Sequence, residues 1–273
     1  MVPRDLPAPP ATRGAGQVVL AVSSMPPKTS LAAARAQRGA PLLRKVEIIC
    51  LMPGGEIREV ARLVPSLPAF EEAFAAFARG TILPTSRGLV AVEDLWPGME
   101  VRTATGEMRT LLWRGSTMVV PMAEGRHGGP DPAMSRLTRI GADALGIARP
   151  THDLVLGPRA RVVHRGPGVR ALTGSDAALV LACDLARDEA IVGIAPATPV
   201  QVFHLDFDRH ERLVANGVEV ESYHPGPAAA FPLGGELLAL WLSCLPHRRA
   251  LADFGEPALP RILGRDLDLF DAA

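Results

Sequence analysis

The chain has 273 residues and is 48% hydrophobic, enough for a real core in one large domain with appendages or in two small domains. Acidic and basic residues balance at 29 each, so the formal net charge is zero and no overall field draws the chain to nucleic acid or an anionic lipid surface. Cys50, Cys183 and Cys244 form no CxxC pair and have no histidine at zinc-finger spacing, which speaks against a disulfide framework or a structural zinc and predicts three buried, inert thiols. No cofactor is expected.

In chain order, residues 1–44 are rich in Pro, Ala, Arg, Ser and Gly without a sustained hydrophobic period, and are predicted to be a disordered tail. GQVVLAV, at 16–22, is too short for the apolar core of a signal peptide, so the default compartment is the cytoplasm, with secretion by a route that needs no such peptide left open. Residues 45–64 place two β-rich runs around Pro53-Gly54-Gly55, a hairpin. Phe70, Phe74 and Phe77, at spacings of four and three, predict a short amphipathic helix over 68–77.

From Thr81 to about His224 short strands are broken by SRG, WPG, ATG and ANG, the pattern of an all-β unit. A Gly/Pro-rich stretch at 121–135 interrupts it, and a helical segment is expected over 137–145. Asp94-Leu95 and Asp184-Leu185, each followed by a polar stretch and a β-branched residue, hint at a duplication. Trp96, Trp113 and Trp241 read as core or docking aromatics and interleave with no basic stripe, so nucleic-acid stacking has no support. LLALWLSCL, at 237–245, falls short of the roughly 20 residues that span a bilayer and is read as a docked helix. Self-association through Leu237, Trp241 and Leu245 is compatible with that reading. The polar tail beyond it is expected to pack back loosely.

Three segments carry more. The first is Ala76-Phe77-Ala78-Arg79-Gly80-Thr81 with Val92-Glu93-Asp94-Leu95-Trp96-Pro97-Gly98-Met99-Glu100-Val101; the second is Asp153-Leu154-Val155-Leu156-Gly157-Pro158-Arg159-Ala160-Arg161-Val162; the third runs from His204 to Gly226, HLDFDRHERLVANGVEVESYHPG. Together they resemble the bacterial Hedgehog/intein, or Hint, family of autoprocessing domains. The resemblance implies a mainly β fold, a pseudo-twofold β horseshoe over 76–227 with short flanking helices. A hairpin and helix at 45–75 would flank one edge, and a C-terminal helical segment at 228–273 another.

In the family a Cys stands at the position of Ala76, and Ser and His stand where this chain has Gly157 and Ala160. Hint autoprocessing begins when a Cys or Ser side chain attacks the carbonyl preceding it, a step that needs an activated nucleophile. Ala76 carries none. The tetrahedral intermediate also needs a proton donor or oxyanion partner, and Gly157 and Ala160 supply none from their side chains. The resemblance therefore implies a horseshoe kept without its reaction, serving as a module for an unknown protein or peptide partner; the alternative is a self-cleaving enzyme that uses non-standard residues.

Candidates for such residues are few. Thr81 could act as a substitute nucleophile, but the family has a Thr there beside its Cys, and a hydroxyl bonded to local backbone is the plainer reading. If one strand runs through 154–163, His164 lies on the side of Ala160 but about 13 Å away, at roughly 3.3 Å per residue, too far to replace the missing imidazole. In one extended strand His204, Asp208 and His210 would share a side, and two imidazoles with a carboxylate suit a transition metal; a hydrogen-bonded structural network is the competing reading, and a turn near Arg209 would break the alignment. His224 is read as a structural cap or a site residue, and Asn216-Gly217 as the strongest hairpin signal in the chain.

Overall fold

The computed structural model describes residues 42–121, 132–187 and 189–266; the tail predicted over 1–44 lies outside them through residue 41, and its last two residues, Leu43 and Arg44, belong instead to a strand paired with Pro65 and Val64. Strands β1 (Leu43–Leu51) and β2 (Ile57–Pro65) are followed by helix α1 (Pro68–Glu72) and β3 (Phe77–Ala78). Then come β4 (Ile82–Thr85), β5 (Gly88–Ala91), β6 (Glu100–Arg102), β7 (Met108–Thr110) and β8 (Trp113–Val119). The second half runs through β9 (Leu137–Ile140), β10 (Leu154–Leu156), β11 (Arg161–His164), α2 (Pro167–Thr173), β12 (Ala178–Leu181) and β13 (Ile191–Ile194). It ends with β14 (Val200–Asp206), β15 (Arg212–Ala215), β16 (Val218–Glu221) and α3 (Gly235–Ser243).

Three antiparallel sheets result. The largest has the order β13-β9-β10-β3-β14-β8-β1-β2, and two four-stranded sheets have the orders β12-β11-β16-β15 and β5-β4-β6-β7. The duplication legible at Asp94 and Asp184 is structural. In the first half β3 leads into the pair β4–β5 and a 3₁₀ turn at Val92–Asp94; in the second, β10 leads into β11–β12 and a 3₁₀ turn at Ala182–Leu185. The two leading strands meet as antiparallel neighbours, Leu156 opposite Phe77.

The hairpin forms where Pro53-Gly54-Gly55 bends the chain, with Gly55 at φ +84°. Alternation in β1 turns Val46, Ile48 and Cys50 into a core shared with Phe70, Phe74, Trp113, Tyr223 and Trp241. β1 also pairs with β8 from Val46↔Thr117 to Cys50↔Trp113, so the hairpin extends the large sheet instead of standing beside it. A second cluster, built on Phe77, Leu83, Leu156, Val162, Phe203 and Leu213, fills the horseshoe.

Several expectations are corrected. The helix stops at Glu72, and Phe77 is in a strand, because its backbone pairs with both Leu156 and Phe203. The segment 137–145 is not helical: β9 lies between β10 and β13, where two ladders of hydrogen bonds outweigh local preference. Strand 154–163 is broken by a turn at 157–160, which removes the basis for placing Ala160 and His164 on one side. Cys50 and Cys244 are buried, but Cys183 is exposed on the 3₁₀ turn after β12.

The C-terminal part is not loosely packed through residue 266. Trp241 and Leu245 are fully buried within the chain and only Leu237, 40% exposed, remains at the surface, so the three do not form a self-association face. The Trp113 indole donates to the Cys244 carbonyl at 2.8 Å and the Trp241 indole to the Ala69 carbonyl at 3.2 Å, docking α3 from both sides. Residues 267–273 lie outside the described residues.

Candidate functional site

Register brings together Ala76 and Gly157, two of the positions singled out by the resemblance. Because Phe77 faces Leu156, the residue before β3 and the residue after β10 are neighbours, and these are Ala76 and Gly157. The Gly157 N–H donates to the Ala76 carbonyl at 2.6 Å, the Arg159 N–H to the Ala75 carbonyl at 2.8 Å, and the Ala76 N–H to the Phe203 carbonyl at 2.9 Å. Ala160 closes the turn by donating to the Gly157 carbonyl at 3.2 Å. Ala75 and Ala76 have no exposed surface. A Cβ on Gly157 would stand 2.5 Å from the Ala75 oxygen and 2.8 Å from its carbonyl carbon, so the site admits no side chain there without moving the backbone. The Ala75–Ala76 amide thus has a polarising N–H on its carbonyl, and neither Ala76, Gly157 nor Ala160 brings a nucleophile or an imidazole to it.

The segment before this amide is clamped. Glu71 takes Arg44 at 2.7 Å and the Ser66 hydroxyl at 2.5 Å, and Glu72 takes Arg161 at 3.2 Å. His204 lies beside it, its Nδ1 donating to the Glu72 carbonyl at 2.9 Å and its ring edge-on to Tyr223. Burial pushes the His204 pKa down to about 4, so the ring is neutral at pH 7. Thr81 is buried, and its hydroxyl donates to the Ala78 carbonyl at 2.7 Å, a local structural bond.

His204, Asp208 and His210 do not share a face. β14 ends at Asp206, the chain turns, and Asp208 is exposed while His210 is buried on the far side of the turn. Among the described residues no group of three or more His, Cys, Asp or Glu side chains is arranged to hold a metal ion.

His210 belongs instead to a cluster that sequence reasoning missed. Glu221, 1% exposed, is held by Arg261 at 2.7 Å, His210 at 3.2 Å and Arg161 at 3.5 Å. Burial by itself would raise the Glu221 pKa, but His210, Arg261 and Arg161 outweigh it and hold the carboxyl at about 2. The Ala258 N–H donates into His210 Nδ1 at 2.9 Å, which leaves the ring proton on Nε2, toward Glu221. His224, its ring 4.7 Å from that of His210, accepts from the Gly226 N–H and donates to the Gly255 carbonyl; burial, with His210 beside it, lowers its pKa to about 4. A second buried carboxylate, Asp206, takes His247 at 2.6 Å and Arg248 at 3.2 Å. Both clusters tie residues 247–261 to the horseshoe. Their signals were the acidic residues in HLDF and VEVE; the partners from the C-terminal segment, some 40 positions away, had no local signature.

The fold is a two-halved β horseshoe whose leading strands meet at a buried amide. The family model for the Hint domain matches residues 75–227, more than half of the chain, and the protein belongs to the Hint domain family. A bacterial intein-like domain from Clostridium thermocellum, solved in solution, is similar at 13% identity and a TM-score of 0.36, over 55% of this chain and 99% of that one. No curated protein matches. No helix among the described residues is long and apolar enough to cross a membrane.

Proposed function

We propose that this Hint domain has lost its autoprocessing chemistry and serves as a binding or scaffold module for a protein or peptide. The observation that carries the reading is the buried Ala75–Ala76 amide, which faces Gly157 and Ala160 and lacks a nucleophile at the position where the family has one. A second feature agrees with it. The chain on the amino side of that amide includes β1, which is paired on both edges, by β2 and by β8. A segment woven into the sheet in this way is part of the fold, and as the acyl side of the bond it would not be readily released.

The test is intact-mass spectrometry of the full chain, followed over days at neutral pH with and without dithiothreitol and hydroxylamine. One unchanged mass of 28.9 kDa is expected. A fragment pair split at Ala75–Ala76, or next to Gly80 with Thr81 as the attacking group, would overturn the proposal and restore the self-cleaving reading.

A further inference from the structure

We propose that a cavity between β11, the β15–β16 turn and the loop 141–151 binds a carboxylate carried on a small apolar body. The cavity has a volume of about 210 Å³. Leu145, Val163, Leu185 and Val218 give it apolar walls, and Arg149 and Arg165 stand among its lining residues. That combination suits a ligand with a hydrocarbon body and one anionic end.

Charge at the cavity is unbalanced. Glu219 is the carboxylate there, and it is already divided between Arg165 at 2.6 Å and Arg212 at 2.6 Å. Among the described residues the Arg149 guanidinium has no ion-pair or hydrogen-bond partner. A planar guanidinium suits a carboxylate in a bidentate pair, and a neighbouring cation strengthens the attraction.

The loop that presents Arg149 is held in a costly conformation. Ala148 has φ +58° and Asp143 φ +60°, a region that costs a non-glycine residue about 1–2 kcal/mol. One contact within the loop and others to the β15–β16 turn hold it there. Asp143 Oδ1 accepts from the Ala148 N–H at 2.6 Å, and the Thr151 N–H donates to the Asn216 carbonyl at 2.9 Å. Gly217 lies so close that a Cβ there would meet the Ala148 oxygen at 2.5 Å. The Asn216-Gly217 turn therefore braces the loop, and the loop places an unpaired cation at a cavity.

Size limits the ligand. A cavity of roughly 150 Å³ accepts benzene, so this one accommodates an apolar body of about six to nine heavy atoms. A free monocarboxylic acid and the C-terminal residue of a peptide ending in Leu share that chemistry.

Calorimetric titration of the full chain with hexanoate, 1-hexanol, and Gly-Gly-Leu with a free or amidated terminus tests the proposal. Hexanoate or the free-acid peptide is expected to bind at least about tenfold more tightly than its uncharged counterpart, and Arg149→Gln to weaken that binding at least about tenfold. Arg149→Gln is expected to keep the wild-type melting temperature, since its side chain is exposed. Tighter binding of the peptide identifies a chain terminus as the source, and tighter binding of hexanoate a free acid. Equal binding of charged and uncharged probes, absence of binding by all four, or unchanged affinity in Arg149→Gln would overturn the site.

Discussion

Two buried places in this molecule are built in opposite ways. At the junction, Ala75, Ala76, Gly157 and Ala160 meet through backbone groups alone, while around Glu221 and Asp206 five arginine and histidine partners, Arg261, His210, Arg161, Arg248 and His247, crowd onto two carboxylates. These two carboxylates take Arg261, Arg248 and His247 from the C-terminal segment. Hydrogen bonding capacity at the amide is spent on holding two strands in register. The contrast separates a place that keeps a geometry from a place that holds a charge.

The contrast breaks most visibly at Glu221. Glu221→Ala leaves Arg161 and Arg261 facing a buried gap, and a loss of about 3–5 kcal/mol is expected in denaturant unfolding. A loss under about 1 kcal/mol would mean that water reaches the cluster and the pair is a surface one in effect.

Acid should act on the same region through two sets of groups. His204 and His224 have folded pKa values near 4, below the ordinary histidine value, so the unfolded chain binds more protons between about pH 6.5 and 4 and stability falls as pH drops through that window. Glu221, at about 2 when folded, adds a further loss as pH falls below the ordinary carboxylate range. Unfolding midpoints measured from pH 8 down should therefore begin to decline before carboxylates titrate. His224→Gln should flatten the upper part of that decline; an unchanged profile would remove His224 from the account.

The junction should respond to volume and resist chemistry. Gly157→Ser puts a Cβ against the Ala75 carbonyl, and a destabilisation of about 1–3 kcal/mol is expected from overpacking. A neutral result would show that the two strands can part at this point. The smallest effect is predicted for Ala76→Cys. With Gly157 and Ala160 unchanged, the mass of the full chain should stay intact in the presence of hydroxylamine, because a thiol alone lacks an activating group. Cleavage in that variant would show that the backbone geometry is still competent and that a single residue stands between this fold and its reaction.

Much of this architecture was legible in the linear chain. Pro53-Gly54-Gly55 and Asn216-Gly217 mark turns because their backbone demands are local, and the turn-punctuated strands of the middle region mark an all-β unit for the same reason. Ala76, Gly157 and Ala160 draw notice in the linear chain only through the motifs around them that resemble the family. Their consequences were not legible. That Gly157 excludes a side chain follows from Phe77 pairing with Leu156, nearly 80 residues apart in the chain. Phe77 was drawn into a helix by its spacing from Phe70 and Phe74, and Leu137 likewise; in both cases strand partners distant in sequence supplied the hydrogen bonds that decided the conformation. His204, Asp208 and His210 were aligned on a strand that in fact ends at Asp206, so side-chain direction failed where the backbone turned. Sequence by itself determined the class of fold and the absence of a nucleophile at residue 76, because turn chemistry and side-chain identity are properties of single residues and short runs. Only tertiary structure decided what that absence is packed against, which carboxylates are buried, and where Arg149 is left without a partner, because burial and pairing depend on residues brought together from distant parts of the chain.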